Sequence, residues 1–213
     1  MYPKGNLFVP ASVGRLEAIL KEPPREPRGV ALVCHPHPLG GGTMHNKVVF
    51  RIAAGLVDAD LITLRFNFRG VGASDGVHDG EAEREDVQDC LDYLSENYPN
   101  QPITLAGFSF GSRMGTEVAM NDPRVVRLIS IGTPVDKYKD FDYLENLRKP
   151  ILFVHGDSDE FGSVESLRKL VDKVSAKTKT KLVVFENCGH FFDEHLNDLR
   201  DTIKNWTLEQ MES

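Results

Sequence analysis

The chain has 213 residues and a mass of 23.8 kDa, with 25 Lys+Arg against 32 Asp+Glu and a formal charge of −7. That length suits a single domain over 1–213, and 40% hydrophobic with 27% charged residues excludes wholesale disorder. The acidic balance, with no basic cluster, argues against nucleic acid as a partner; no apolar run nears the roughly 20 residues that span a bilayer, which argues against a membrane.

The start, Met1-Tyr2-Pro3-Lys4, has no long apolar stretch behind it and predicts no secretory signal. Three cysteines, Cys34, Cys90 and Cys188, cannot pair completely, so a reduced, cytoplasmic protein is expected. Residues 7–20 alternate apolar and polar with Gly14 near the middle, which predicts a two-stranded antiparallel edge. From residue 29 onward, short apolar runs alternate with helical patterns. The runs 29–35, 61–68, 102–108, 126–131, 151–155 and 181–186 predict strands buried on both faces of a parallel sheet. Between them, Val49/Ile52/Ala53/Leu56, Val87/Leu91/Leu94/Tyr98, Val164/Leu167/Val171/Val174 and Leu196/Leu199/Ile203/Trp206 form stripes at three- and four-residue steps. Ser163 is the expected N-cap of the third stripe, and Pro99 stops the second. Such alternation implies right-handed crossovers and an α/β fold, a mostly parallel sheet with helices on both faces.

Sheets of this kind place ligands at the carboxyl ends of their strands. The segments that come after the predicted strands, 35–42, 68–76, 107–111, 156–161 and 187–192, are short, polar and contain glycine. Within them, Gly107-Phe108-Ser109-Phe110-Gly111 matches G-x-S-x-G, where a serine on a tight strand-to-helix turn needs neighbours without Cβ atoms. A second match, Gly72-Ala73-Ser74-Asp75-Gly76, stands beyond its strand and leads into a polar loop. Ser109 is therefore the candidate nucleophile and Ser74 a loop residue.

A serine hydroxyl needs a base to take its proton. Of seven histidines, His190 follows the last predicted strand and shares the sheet edge with Ser109. His155 reads as a packed histidine, and His45, His78 and His195 have no evident partner. A carboxylate should accept from the far ring nitrogen of the base, and Asp157, Asp159 and Glu160 all lie on the intervening loop. Spacing alone does not choose among them. His35 and His37 could chelate a metal with His45, Asp75 or His78, but the simpler reading makes His35 a hydrogen-bonding anchor of its loop, with no metal and no cofactor. The cysteines read as buried packing residues, and Arg65, Asn67 and Arg69 as groups that order the loop after their strand.

With these residues in place, the chain resembles the α/β-hydrolase superfamily over nearly its whole length. More narrowly, Cys34-His35-Pro36-His37-Pro38-Leu39 with Gly40–Gly42 and Thr43-Met44-His45-Asn46, and Arg65-Phe66-Asn67-Phe68-Arg69-Gly70-Val71-Gly72, resemble small uncapped bacterial hydrolases related to dienelactone hydrolase. The superfamily pattern G-x-x-D aligns Gly156 with Asp159, so the resemblance implies Ser109, Asp159 and His190 as a catalytic triad. Dienelactone hydrolases proper carry cysteine where this chain has Ser109, so lactone specificity does not transfer. Two backbone N–H groups should hold the oxyanion: that of Phe110 and one from the loop after the first parallel strand. Pro36 and Pro38 have no N–H, which leaves His37 first and Leu39 second.

The expected activity is hydrolysis of a small carboxylic ester, a small-molecule substrate, through an acyl-enzyme. The alternatives are a peptidase or thioesterase using the same triad, or a non-catalytic binding protein on this fold. Only residues 133–149 separate the strands around 131 and 151, too few for a lid domain, and Phe108, Phe110, Phe161, Phe191 and Phe192 are expected around an open site.

Overall fold

The computed structural model of the protein describes residues 5–138 and 140–212; the amino-terminal start at Met1 to Lys4 lies outside the described residues. Alternation at 7–20 gives β1 (Asn6–Ala11) and β2 (Gly14–Lys21), paired antiparallel through a tight turn that Gly14 leaves at φ 119°. The apolar runs become β3 (Val30–Cys34), β4 (Ile62–Phe66), β5 (Ile103–Phe108), β6 (Val125–Ile131), β7 (Ile151–Gly156) and β8 (Thr180–Phe185). All eight strands form one sheet in the order β1-β2-β4-β3-β5-β6-β7-β8, with β2 antiparallel to β4 and the rest of the sheet parallel from β4 onward.

The helices are α1 (Lys47–Asp58), α2 (Glu83–Asn97), α3 (Phe110–Ala119), the single turn α4 (Val135–Tyr138), α5 (Val164–Ser175) and α6 (Leu196–Glu212). Strand side chains alternate faces, so Leu32 and Cys34 join a core beneath α2, α3 and α5, whereas Ala31 and Val33 join a second core beneath α1 and α6. Ser163 caps α5 as expected, its hydroxyl accepting from Ser166 N–H at 3.2 Å. Burial on both faces fails along the whole of β8, whose residues are mostly half-buried because it is the sheet edge and pairs with β7 alone; elsewhere it lapses at single positions such as Val126 in β6.

The chain runs from β3 through α1 to β4 on one side, then returns through α2 to β5 on the other side of β3. Strand order therefore reverses between β3 and β5, and their carboxyl ends flank a crevice. Ser109 comes directly after β5 at that point.

Candidate active site

Ser109 sits between β5 and α3 with φ 55° and ψ −118°, a left-handed backbone that a non-glycine residue adopts only under strain. The turn is locked from both sides. Ser109 N–H donates to Ile131 O at 2.9 Å, and Ser112 N–H and hydroxyl both return to Ser109 O. A Cβ on Gly107 would lie 2.3 Å from Gly111 O, and one on Gly111 would lie 2.5 Å from the carbonyl oxygens of Cys34 and His35. No side chain fits at either place, which is the physical content of G-x-S-x-G here.

Ser74 does something else. Its Oγ accepts from Glu17 N–H at 2.9 Å and donates to Asn67 O at 2.7 Å, stitching the β4 loop onto β2. Asn67 and Arg69 belong to the same structure: Asn67 receives Met44 N–H and donates to Glu17, and buried Arg69 pairs with Asp86.

Asp159 and His190 come together across the ends of β7 and β8: His190 Nδ1 lies 2.7 Å from Asp159 Oδ2, with 8% and 3% of Asp159 and His190 exposed. The other carboxylate oxygen, Oδ1, accepts from Phe161 N–H at 2.9 Å, so both oxygens are oriented. Asp157 is directed elsewhere. Its carboxylate takes the N–H groups of Asn187 and Cys188 at 2.9 and 3.0 Å, which hold it below the usual carboxylate range. It fastens the turn that delivers His190. Glu160 is exposed, and the carboxylate at hydrogen-bond distance from His190 Nδ1 is that of Asp159.

The His190 ring meets Phe161 edge-on, centroids 4.6 Å apart, and Phe108 at a tilt, at 4.8 Å. It also lies against Gly132, where a Cβ would approach its Cε1 to 3.1 Å. Gly132 is next to Ile131, whose carbonyl holds Ser109, so His190 and Ser109 share the end of β6. No hydrogen bond joins Ser109 Oγ to His190 in this structure. Such contacts are commonly long before substrate binds.

Phe110 is the first residue of α3, and its N–H has no protein acceptor among the described residues, nor has that of His37. Leu39 differs, because its N–H is spent on His37 Nδ1 at 3.2 Å. That contact, with Gly40 and Gly42 N–H both on His37 O, folds residues 37–42 into a tight turn with His37 N–H outside it. His37 packs on Phe110 with ring centroids 4.9 Å apart, so the two free N–H groups belong to adjoining residues. Burial, then the nearby charges of His78 and Lys137, lower the pKa of His37 and keep its Nδ1 available as an acceptor.

Three further histidines order the loops around this site. His35, fully buried, has Nδ1 2.6 Å from Pro36 O and accepts Phe68 N–H on Nε2 at 3.0 Å; burial lowers its pKa to about 4. His155, also fully buried, has Nε2 2.6 Å from Gly162 O and 3.7 Å from Asp159 Oδ2, so it braces the acid loop from beneath. His78, expected to stand alone, has its Nδ1 2.5 Å from the buried carboxylate of Glu83, its ring 4.9 Å from that of His37. Glu83 also takes the N–H groups of Asp79 and Gly80. His195 likewise has a partner, Asp198 at 3.3 Å. A Gly ending the strand read at 126–131 could have signalled the contact at Gly132; the pairing of His78 with Glu83 crosses a helix start, where no periodicity points to it.

Among the described residues no cluster of three His, Cys, Asp or Glu side chains could hold a metal. The three cysteines are free and buried, and burial pushes the Cys188 thiol up to about 11. Of the phenylalanines expected around the site, Phe108, Phe110 and Phe192 are buried core residues, Phe108 among them still touching His190, and the half-buried Phe161 and 41% exposed Phe191 complete its surroundings. No described helix is long and apolar enough to cross a membrane.

A strained serine turn at the reversal point of a doubly covered sheet, sharing a strand end with a histidine–carboxylate pair, is an arrangement met in the hydrolase class of α/β protein. The family model described as an alpha/beta hydrolase domain matches residues 30–211, and the chain belongs to that family, among its small members without a lid. A solved alpha-beta serine hydrolase homologue from Coxiella burnetii is 37% identical, with 96% of this chain and 98% of that one covered and a TM-score of 0.89. XC6422 from Xanthomonas campestris, described as a serine hydrolase without lid, is 30% identical over 99% of this chain and 96% of its own, with a TM-score of 0.86. The uncharacterized protein RP471 of Rickettsia prowazekii (strain Madrid E) is 34% identical over 203 residues, covering 92% of this chain and 85% of its own.

Proposed function

We propose that the chain, as one catalytic domain, hydrolyses small carboxylic esters through a Ser109–His190–Asp159 triad. The observation that carries this reading is the strained backbone at Ser109, φ 55°, beside a buried His190–Asp159 pair 2.7 Å apart. Ser109 Oγ attacks the ester carbonyl while His190 Nε2 takes its proton, Asp159 holding Nδ1–H and steadying the imidazolium. The oxyanion rests on Phe110 and His37 N–H, each worth roughly 3–4 kcal/mol in the transition state. His190 then returns its proton to the departing alcohol. A water, deprotonated by the same imidazole, cleaves the acyl-enzyme to a carboxylic acid and restores Ser109.

The serine hydrolase descriptions of the Coxiella and Xanthomonas proteins support the same chemistry. The described residues between 133 and 149 supply one helical turn and a 3-10 turn, and the exposed Leu39, Val77 and Phe191 give the loops an apolar rim. That openness favours short acyl groups. Free buried cysteines support a cytoplasmic setting, and a net charge of −7 speaks against nucleic-acid or membrane partners.

A fluorophosphonate probe should label the wild-type protein and Ser74→Ala but leave Ser109→Ala unlabelled. A panel of p-nitrophenyl esters should show kcat/KM falling as the acyl chain lengthens. Labelling retained in Ser109→Ala would defeat the triad, and a preference for long chains would defeat the open-site reading.

A further inference from the structure

At the amino end of the sheet, away from Ser109, a second polar cluster lies under α6. Thr104 in β5 and Arg127 in β6 are paired in register. Side chains two residues on, Ala106 and Ile129, pack in the core that Ile203 and Trp206 of α6 complete, so Thr104 and Arg127 face the same helix. Arg127 is only 6% exposed, and its single protein hydrogen bond among the described residues is a long one, Nη1 to Thr207 O at 3.5 Å.

Arg69 and Arg113, each also 6% exposed, show what equal burial ordinarily requires in this chain. Arg69 is held by Asp86 and Glu85, and Arg113 by Asp140 and Glu81. Arg127 has no carboxylate partner among the described residues, and the charge that acts on it most is another guanidinium, Arg28. Burial first, and then Arg28, lower its pKa. The hydroxyls of Thr104 and Thr207 beside it are fully buried and have no hydrogen-bond partner among the described residues. A buried guanidinium without a carboxylate and two unspent buried hydroxyls form an unfavourable arrangement in the protein alone, and Arg28, itself exposed, adds positive charge at the edge.

We propose that Arg127, Thr104 and Thr207, with Arg28 at the rim, bind a small oxyanion of the phosphate or sulfate type. A planar guanidinium fork matches two oxygens at once, and two hydroxyls can donate to others, a geometry that a tetrahedral oxyanion meets and a spherical halide does not. The site lies about five residues along β5 from Ser109, about 16 Å at 3.3 Å per residue, so it acts on the stability of the sheet and α6 and not on the hydrolytic step.

The test is isothermal titration and thermal melting of the full chain with inorganic phosphate in a zwitterionic, low-chloride buffer. One phosphate should bind per chain, and Tm should climb with the logarithm of phosphate concentration. Arg127→Met should melt no lower than wild type without phosphate, because it removes an unpaired buried charge, and should lose the phosphate response. Thr104→Val, which keeps the side-chain shape, should weaken binding about tenfold. The proposal is overturned by absence of saturable binding, by full binding in Arg127→Met, or by an equal response to chloride. Should Arg127→Met fail to fold, an unchanged phosphate affinity in Thr104→Val overturns it.

Discussion

His35 makes the stability of the protein pH-dependent in a calculable way. Both ring nitrogens are committed, Nδ1 to Pro36 O and Nε2 as acceptor of Phe68 N–H, so the native ring is neutral. Protonating Nε2 would set one N–H against another inside a fully buried site. The folded pKa is lowered from 6.5 to about 4, so between those values the unfolded chain binds the extra proton. The stabilisation is fully present above pH 6.5 and is lost as pH falls toward 4. Linkage over that interval gives a loss of about 2 kcal/mol by pH 5 and about 3 kcal/mol by pH 4 from this residue. Urea unfolding of wild type and His35→Gln at pH 7, 6, 5 and 4 measures it. The variant starts less stable, having an imperfect partner for Phe68 N–H, but its stability should decline less steeply by those amounts. Parallel decline of the two proteins over pH 6.5 to 4 would refute the reasoning.

The site itself sets three more expectations. Asp159→Asn should reduce kcat by about 10⁴, as loss of the orienting carboxylate does in a comparable triad, whereas Asp157→Asn should keep kcat within about tenfold because its oxygens serve the turn at 187–188 and the Ser158 hydroxyl, not His190. Gly132→Ala puts a Cβ 3.1 Å from His190 Cε1 at a backbone φ of 54°, so kcat should fall about 10²-fold with KM little changed in steady-state assays. Ser74→Ala should leave kcat near wild type yet lower unfolding stability by about 1–3 kcal/mol in urea titrations, since Glu17 N–H and Asn67 O lose their common partner.

The sheet was legible because its strands are apolar runs bounded by glycine, and β3 to β7 leave few polar residues to blur them. Legibility failed where burial depends on neighbours in space: residues 181–186 read like a central strand, and nothing in their order tells that β8 has one partner. At the site, the two G-x-S-x-G matches are told apart by their downstream segments, a helix after Ser109 and a polar loop after Ser74. Choosing Asp159 over Asp157 rested on a family pattern, and the physical distinction appears only when the N–H groups of Asn187 and Cys188 are seen to occupy Asp157. His78 was unreadable for a similar reason. Its partner Glu83 looks like any acidic residue in a first helical turn until the fold encloses it.

The close approach of Gly111 to the carbonyls of Cys34 and His35 sets main chain directly against main chain, and it fixes the spacing between the helix behind Ser109 and the loop after β3. The distance between the two N–H groups that would receive a developing negative charge is therefore a property of the scaffold and not of the side chains they carry. Residues such as Leu39, which projects into solvent, can be exchanged to suit a different ester without disturbing that spacing. Selectivity can thus be redesigned on the rim while the reactive centre stays where the glycines put it.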